Sequence, residues 1–319
     1  MSLLFSRIIA GIEDSEPSRA AVALAIRLAS EHGGRLVLCH AVNWRPLITE
    51  VAASGAVIDP EPLIDDLRRD GVTLLASAQA RAQAAGVDAV TCALEGEPAE
   101  QLLARATEEH CTLIVMGTHG RSGLENVLIG STTEAVLRGS AIPVLTVRAS
   151  TKVAAGERRC FARIVAGIDD SEPSDAAIAA VAAMPAEDRR EVVFCSVADG
   201  EDLPGGRGYY WADVQEAVRD HAQVVVDRAV ALARARGIAA EGAVLDGQTC
   251  EALIEAAATR DADLIVVGSH GRRGLRRFFL GSVAECIVRR SSVPVLVARA
   301  MAAPVAVPSP AFAAAVTVG

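Results

Sequence analysis

The residues of this chain best suited to chemistry are glycines, serines and a few carboxylates, set in a stretch that occurs twice. From Leu113 to Thr132 the chain reads LIVMGTHGRSGLENVLIGST, and from Leu264 to Val283 it reads LIVVGSHGRRGLRRFFLGSV. In each copy an apolar run ends in Gly-x-x-Gly, nine residues follow, and a Gly-Ser pair opens a helical segment. Such a stretch suits phosphate. Gly117 and Gly120, with Gly268 and Gly271, let the backbone turn and approach a ligand with no Cβ in the way. Gly130-Ser131-Thr132 and Gly281-Ser282-Val283 stand where a helix begins, so amide N–H groups and the positive end of the helix dipole face an anion. Ser131, Thr132 and Ser282 add hydroxyl donors. A single Gly-x-x-Gly marks many ordinary turns. The full spacing repeated, each time between a strand and a helix, is far more specific.

These loops need strands and helices to hold them. Segments 113–116 and 264–267 are apolar throughout, as in a buried parallel sheet. Upstream, a strand over 7–12 closes on Glu13 and Asp14. Ser15-Glu16-Pro17-Ser18 then starts a helix that runs through Ser30 and stops at Gly33-Gly34. The pattern continues with a strand over 35–42, a loop over 43–62, a helix over 63–85, a strand over 87–94 and a helix over 98–109. After the glycine loop come a helix over 133–139 and a strand over 143–147. RIVAGIDDSEPS at 163–174 then restates RIIAGIEDSEPS at 7–18. The second copy follows with strands over 192–198, 240–245 and 293–298 and helices over 214–236 and 250–259, its first helix cut short by Pro185. Duplication of a whole domain accounts for this.

The predicted organisation is a first domain over 1–149, a linker over 150–159, a second domain over 160–299, and a disordered tail over 300–319. The tail is without charge and holds Pro304, Pro308 and Pro310. The second copy's variable loop, ending in GYYW, holds both tyrosines and Trp211, read as capping the core. Alternating strands and helices predict an α/β fold, with two tandem doubly wound five-stranded parallel sheets of strand order 3-2-1-4-5. Ligands of such sheets bind where the strand order reverses, here between strands 1 and 4. Strand 4 carries the glycine loop. Strand 1 ends at Glu13 or Asp169, whose carboxylate either accepts ribose hydroxyls or caps a helix and a turn.

Composition limits the rest. With 51% apolar residues in 319, the chain can fill two cores, while 3% aromatics offer no base-stacking platform. A net charge of −9 draws neither nucleic acid nor an anionic membrane. Lys152 is the only lysine, so there is no Gly-Lys-Ser/Thr phosphate loop. Four arginines of the second loop, Arg272, Arg273, Arg276 and Arg277, read as a solvated or interdomain face. Phosphoryl transfer needs a metal, a charge clamp and a positioned nucleophile. The sequence presents a cradle without a general base or metal-carboxylate cluster, so no catalytic or metal-ligating residue is assigned. The seven cysteines are scattered and odd in number, and most lie in apolar runs and read as small core residues of a reducing compartment. The start lacks a signal peptide's charged front and no apolar run spans a membrane, so a cytoplasmic protein is expected.

The repeated glycine motif is similar to the adenine-nucleotide loop of the universal stress protein family, and the resemblance covers both copies. It implies an adenine nucleotide alpha hydrolase-like fold, ATP as ligand, and Mg²⁺ held through the phosphates. The family has an aspartate at the end of strand 1 contacting ribose. Asp169 matches it, and Glu13 departs by one methylene. Backbone at Ala41 and Val197, and at Met116 and Val267, would meet the adenine. His119 and His270 fall where the family has a nucleotide contact. Val283 in place of Thr132 removes a hydroxyl, a loss of about 1 kcal/mol. The family also pairs subunits through their final strands, here 143–147 and 294–297, which would match the two copies about a pseudo-twofold axis. Two chains would then associate as a homodimer. The implied role is an ATP-binding stress-response or signalling module acting on an unknown protein partner. The alternatives are a slow ATPase or autokinase and a nucleotide-free interaction module. IEDSEPS and IDDSEPS after strand 1 disfavour an adenylyltransferase, which would carry a His-x-x-His or Ser-Gly-Gly loop there.

Overall fold

The computed structural model describes residues 4–53, 59–118, 129–149, 151, 160–185, 191–199, 211–269 and 280–299. The first half runs β1 (Arg7–Gly11), α1 (Glu16–His32), β2 (Arg35–Val42), α2 (Arg45–Ala53), α3 (Glu61–Ala84), β3 (Ala89–Glu95), α4 (Pro98–Glu108), β4 (Leu113–Gly117), α5 (Ser131–Gly139) and β5 (Val144–Val147). The second half repeats it without a counterpart of α2 among the described residues. Its elements are β6 (Arg163–Gly167), α6 (Glu172–Ala183), β7 (Glu191–Ala198), α7 (Trp211–Arg234), β8 (Ala240–Asp246), α8 (Thr249–Thr259), β9 (Leu264–Gly268), α9 (Ser282–Arg290) and β10 (Val295–Ala298).

The ten strands form one sheet in the order β3-β2-β1-β4-β5-β10-β9-β6-β7-β8. Each half therefore has the expected 3-2-1-4-5 order, parallel throughout, and the two meet where β5 and β10 pair antiparallel with Leu145 opposite Leu296. Side chains alternate across the sheet, so Ile8 and Ala10 enter one apolar layer with α1 and α3, while Ile9 enters the other with α4 and α5. Both layers continue across the seam into the second half. The seam is the predicted final-strand pairing, and it leaves β3 and β8 as the sheet's outer strands.

Further contacts hold the halves together. Thr146 Oγ1 donates to the Val295 carbonyl at 3.2 Å. Arg299, just past β10, reaches over to donate to the Leu137 carbonyl in the last turn of α5, and to that of Arg138 at 3.5 Å. A cation there sits at the negative end of the helix dipole. Burial lowers the Arg299 pKa. The Phe5 and Phe161 rings, equivalent residues of the two copies, meet at 6.2 Å between centroids, and the Cys160 N–H donates to Glu31 at 2.9 Å.

The structure departs from expectation at several points. The loop 43–62 contains a helix, α2, which its prolines and glycine mask. α5 begins at Ser131, two residues early, because Gly130 is extended (φ −61, ψ 144) and acts as the N-cap. The cysteines are not all small core thiols. Cys250 and Cys286 are joined in a disulfide that ties α8 to α9, with Cα atoms 6.1 Å apart. Thirty-six residues separate them in sequence, and nothing in their spacing marks them as neighbours. The tail 300–319, linker residues 152–159 and the tyrosine-bearing loop 200–210 lie outside the described residues. So do His119, Gly120, His270, Gly271 and the four arginines of the second loop.

Candidate functional site

In each half the carboxyl ends of β1 and β4, or of β6 and β9, stand side by side, and the chain leaving them builds the site. After β1 the Ile12 N–H donates to the Cys39 carbonyl at 2.7 Å, carrying the parallel pairing one residue beyond the strand. Glu13 then turns the chain into α1. Its N–H donates to Ser18 Oγ at 3.0 Å, and Ser15 Oγ donates to its carboxylate at 3.0 Å. Ser15 is also the N-cap of α1, accepting from the Ser18 N–H at 3.2 Å. The second half repeats the device more tightly. The Asp169 N–H donates to Ser174 Oγ at 2.7 Å, and its Oδ1 accepts from Ser174 Oγ at 2.5 Å and from Ser171 Oγ. Both carboxylates are thus held in the turn by the helix-start serines, and the helix N-caps are Ser15 and Ser171. The same bonds fix each carboxylate at the rim of the crevice.

The glycine loop leaves and returns at one point. The Gly130 N–H donates to the Thr118 carbonyl at 2.8 Å, and the Gly281 N–H to that of Ser269 at 2.8 Å. The helices that follow have no side-chain cap. Their first-turn amides are therefore presented to whatever occupies the crevice, with a helix dipole behind them. Thr133, one residue beyond the predicted donors, is buried and gives its hydroxyl to the Gly117 carbonyl at 2.8 Å, which clamps α5 to the end of β4. Ala284 occupies that position in the second copy.

Gly117 and Gly268 are required for a reason other than ligand approach. A Cβ on Gly117 would lie 2.8 Å from both the Pro17 carbonyl carbon and the Ser18 nitrogen, and one on Gly268 would lie 2.7 Å from the Pro173 oxygen. The first glycine of each motif lets β4 or β9 run directly under the start of α1 or α6.

In the first half these pieces surround a cavity of 220 Å³. Of the predicted residues, Glu13, Ala41, Met116, Gly117, Gly130, Ser131 and Thr132 all line it. The sequence reading missed its apolar floor, made by Leu94 of β3 with Pro98 and Leu102 of α4. The i, i+4 spacing of Pro98 and Leu102 was the available signal. It also missed His40, which lines the cavity and bonds the Ile12 carbonyl through Nδ1 at 2.7 Å. A carbonyl only accepts, so Nδ1 carries the proton. The ring packs against Gly71 of α3, where a Cβ would come within 2.4 Å of it.

In the second half Asp169, Gly268, Gly281, Ser282 and Val283 occupy the corresponding positions. Val283 packs partly into the apolar layer, a place for which its methyls are better suited than a hydroxyl. Val197 lines a different cavity, of 680 Å³, bounded on the α7 side by Val214, Ala217 and His221. Among the described residues no helix is long and apolar enough to cross a membrane.

The architecture and the duplicated motif both have relatives. A universal stress protein of Bacillus subtilis is 35% identical over 149 residues, 46% of this chain and all of that protein. One of Mycolicibacterium smegmatis is 27% identical over 301 residues, 92% of this chain and 96% of its own. Among solved structures, a universal stress protein from Archaeoglobus fulgidus superposes with a TM-score of 0.68 at 20% identity, covering 93% of this chain and 98% of that one. The model of the universal stress protein family matches residues 4–148 and again 161–299. Those two spans are the halves that meet at the β5–β10 seam, and the chain belongs to the universal stress protein family.

Proposed function

We propose that the chain is an ATP-binding module of the stress response, whose paired halves change shape or partners with the nucleotide they hold. The observation that carries the reading is the first-half cavity, which brings Glu13, the β4 end and the uncapped start of α5 to one place. Adenine would lie on the shelf of Leu94, Pro98 and Leu102, against backbone at Ala41 and Met116. Glu13 would meet the ribose, and the phosphates would extend over the amides of Ser131 and Thr132. The cavity lies below the ~300–1,000 Å³ typical of small-molecule pockets, which fits a site whose anionic end rests on a helix start. Mg²⁺ would be held through the phosphates, since the described cavity lining contributes only one carboxylate, that of Glu13. His119 and His270 stay proposed contacts by family resemblance, as do Gly120 and Gly271. The second half would hold nucleotide through Asp169, Gly268, Gly281 and Ser282, with Val197 and Val267 at the base. Homodimerisation, a cytoplasmic location and an unidentified protein partner belong to the same reading.

The test is calorimetric titration of the nucleotide-stripped chain with Mg²⁺ and ATP, followed by analysis of the nucleotide after long incubation. Two ATP per chain, recovered intact, supports a two-site sensor. Absence of binding refutes the reading, and steady conversion to ADP replaces it with a slow ATPase.

A further inference from the structure

Beneath the first cavity lie thiols that neither the fold nor the nucleotide reading uses. Cys39 of β2 and Cys92 of β3 are directly opposite in the parallel register, and opposed residues of a pair of strands point to the same face. Cys39 is buried and lines the cavity, whereas Cys92, on the outer strand of the sheet, is half-buried and reachable from outside. Adjacent strands run ~4.7–4.9 Å apart, inside the ~4.4–6.8 Å Cα separation that a disulfide spans. β3 has a neighbour on only one side, so it can yield to close the bond. The second half lacks this arrangement, because Cys195 at the equivalent of Cys39 faces Ala243.

We propose that Cys92 and Cys39 are a peroxide-reactive pair, with Cys92 the attacking thiol and Cys39 the one that resolves it into a cross-strand disulfide. The Cys92 sulfur attacks the terminal oxygen of a small hydroperoxide. The S–O bond forms, the O–O bond breaks, and the released alkoxide or hydroxide takes up a proton to leave as alcohol or water. Cys92 is then a sulfenic acid. The Cys39 sulfur attacks it, S–S forms, S–O breaks, and hydroxide departs with the Cys39 proton as water. The two sulfurs supply the two electrons that reduce the peroxide.

The surroundings support that division of labour. The Cys39 thiol opposite it, with Arg105 close by, pulls the Cys92 thiol down to about 7, against the opposing effects of partial burial and of Glu109 and Glu108. The Cys92 thiol and its own burial push Cys39 up, so it keeps its proton until the second step. Cys111, also nearby, is buried and pushed up to about 12. The lowered pKa raises the fraction of Cys92 present as thiolate, the attacking form. Intrinsic nucleophilicity falls with pKa less steeply than the thiolate fraction rises, so a net advantage remains. The inference stands whether or not the cavity takes ATP.

The experiment exposes the full-length chain to hydrogen peroxide, alkylates the remaining thiols and maps the products by mass spectrometry. The expected product is a Cys39–Cys92 cross-link two hydrogens lighter, with Cys195 still alkylated. Cys39→Ala should stop at a Cys92 sulfenic acid that dimedone traps. Cys92→Ala should leave Cys39 reduced, and alanine already occupies the equivalent position in the second half. Oxidation of Cys195 as fast as Cys92, a Cys92–Cys111 bond instead, or persistence of both thiols would each overturn the proposal.

Discussion

Replacing Gly117 by alanine tests whether the first glycine of the motif serves packing or ligand. The new Cβ would lie 2.8 Å from the Pro17 carbonyl carbon and the Ser18 nitrogen and 2.9 Å from the Pro17 Cβ. All three atoms belong to the start of α1 and none is the movable end of a long side chain, so the helix must shift or β4 must bend. Overpacking of this kind costs ~1–3 kcal/mol. Unfolding entropy is ~2.1 cal/mol/K per residue, so a half of roughly 140 residues melting alone would lose ~3–10 °C, and the whole sheet melting together about half as much. The assay is thermal unfolding of the nucleotide-free protein. Ser18 moves with the helix start and holds the Glu13 N–H at 3.0 Å, so nucleotide affinity should fall as a secondary effect. An unchanged melting temperature with lost binding would refute the reasoning, since the glycine would then serve the ligand alone.

Other outcomes follow from particular contacts. Glu13→Ala should weaken ATP in the first site by ~10–100-fold, the worth of ~1.5–3 kcal/mol for hydrogen bonds to a charged group, read by calorimetry with the second site intact. Breaking the Cys250–Cys286 bond, with its separation of 36 residues, should destabilise the second half by up to ~4 kcal/mol, and the Cys250→Ala, Cys286→Ala double variant should match reduced wild type in a denaturant melt. Ala99 and Ala135 hold the equivalent positions of the first half, so reductant should leave that half unchanged. Arg299→Met removes the donor to the Leu137 and Arg138 carbonyls and should cost ~1–3 kcal/mol, seen as a lower urea midpoint. Alkylation of Cys92 should rise with pH and be half-maximal near 7, because its thiol is lowered from 9.0 to about 7. Between those values the native state binds fewer protons than the unfolded chain. The Cys92 contribution to stability is therefore full above pH 9 and lost as pH falls through 7.

The fold was legible because its signals are local and doubled. Apolar runs such as Leu113–Gly117, and helix starts such as Ser15 followed by Pro17, can be read wherever they stand, and their recurrence marked the duplicated domain. The seam between β5 and β10 was expected from the family resemblance, and it removes an unpaired apolar edge. What escaped notice depends on residues far apart in the chain. His40 matters because Ile12 and Gly71 come to it, the apolar floor of the cavity needs Leu94 beside Leu102, and Cys250 meets Cys286 only when α8 packs on α9. The packing role of Gly117 escaped notice for a related reason, since its missing Cβ matters to Pro17, a hundred residues earlier. Helix α2 was hidden by the turn-forming residues on either side of it.

Joining the halves on one chain has a consequence for how they can differ. Two free subunits pairing through their last strands would meet as a mixture of like and unlike pairs, set by concentration. Here the β5–β10 contact is intramolecular, so every molecule holds one of each kind and dilution does not separate them. That guaranteed unlike partnership frees each copy to change alone. Glutamate can stand at 13 with aspartate at 169, threonine at 132 with valine at 283, and thiols at 39 and 92 in one half with a bonded pair at 250 and 286 in the other. β5 and β10 run in opposite directions, so the two crevices open on opposite rims of the sheet. A single polypeptide thus presents two non-equivalent crevices in fixed one-to-one proportion.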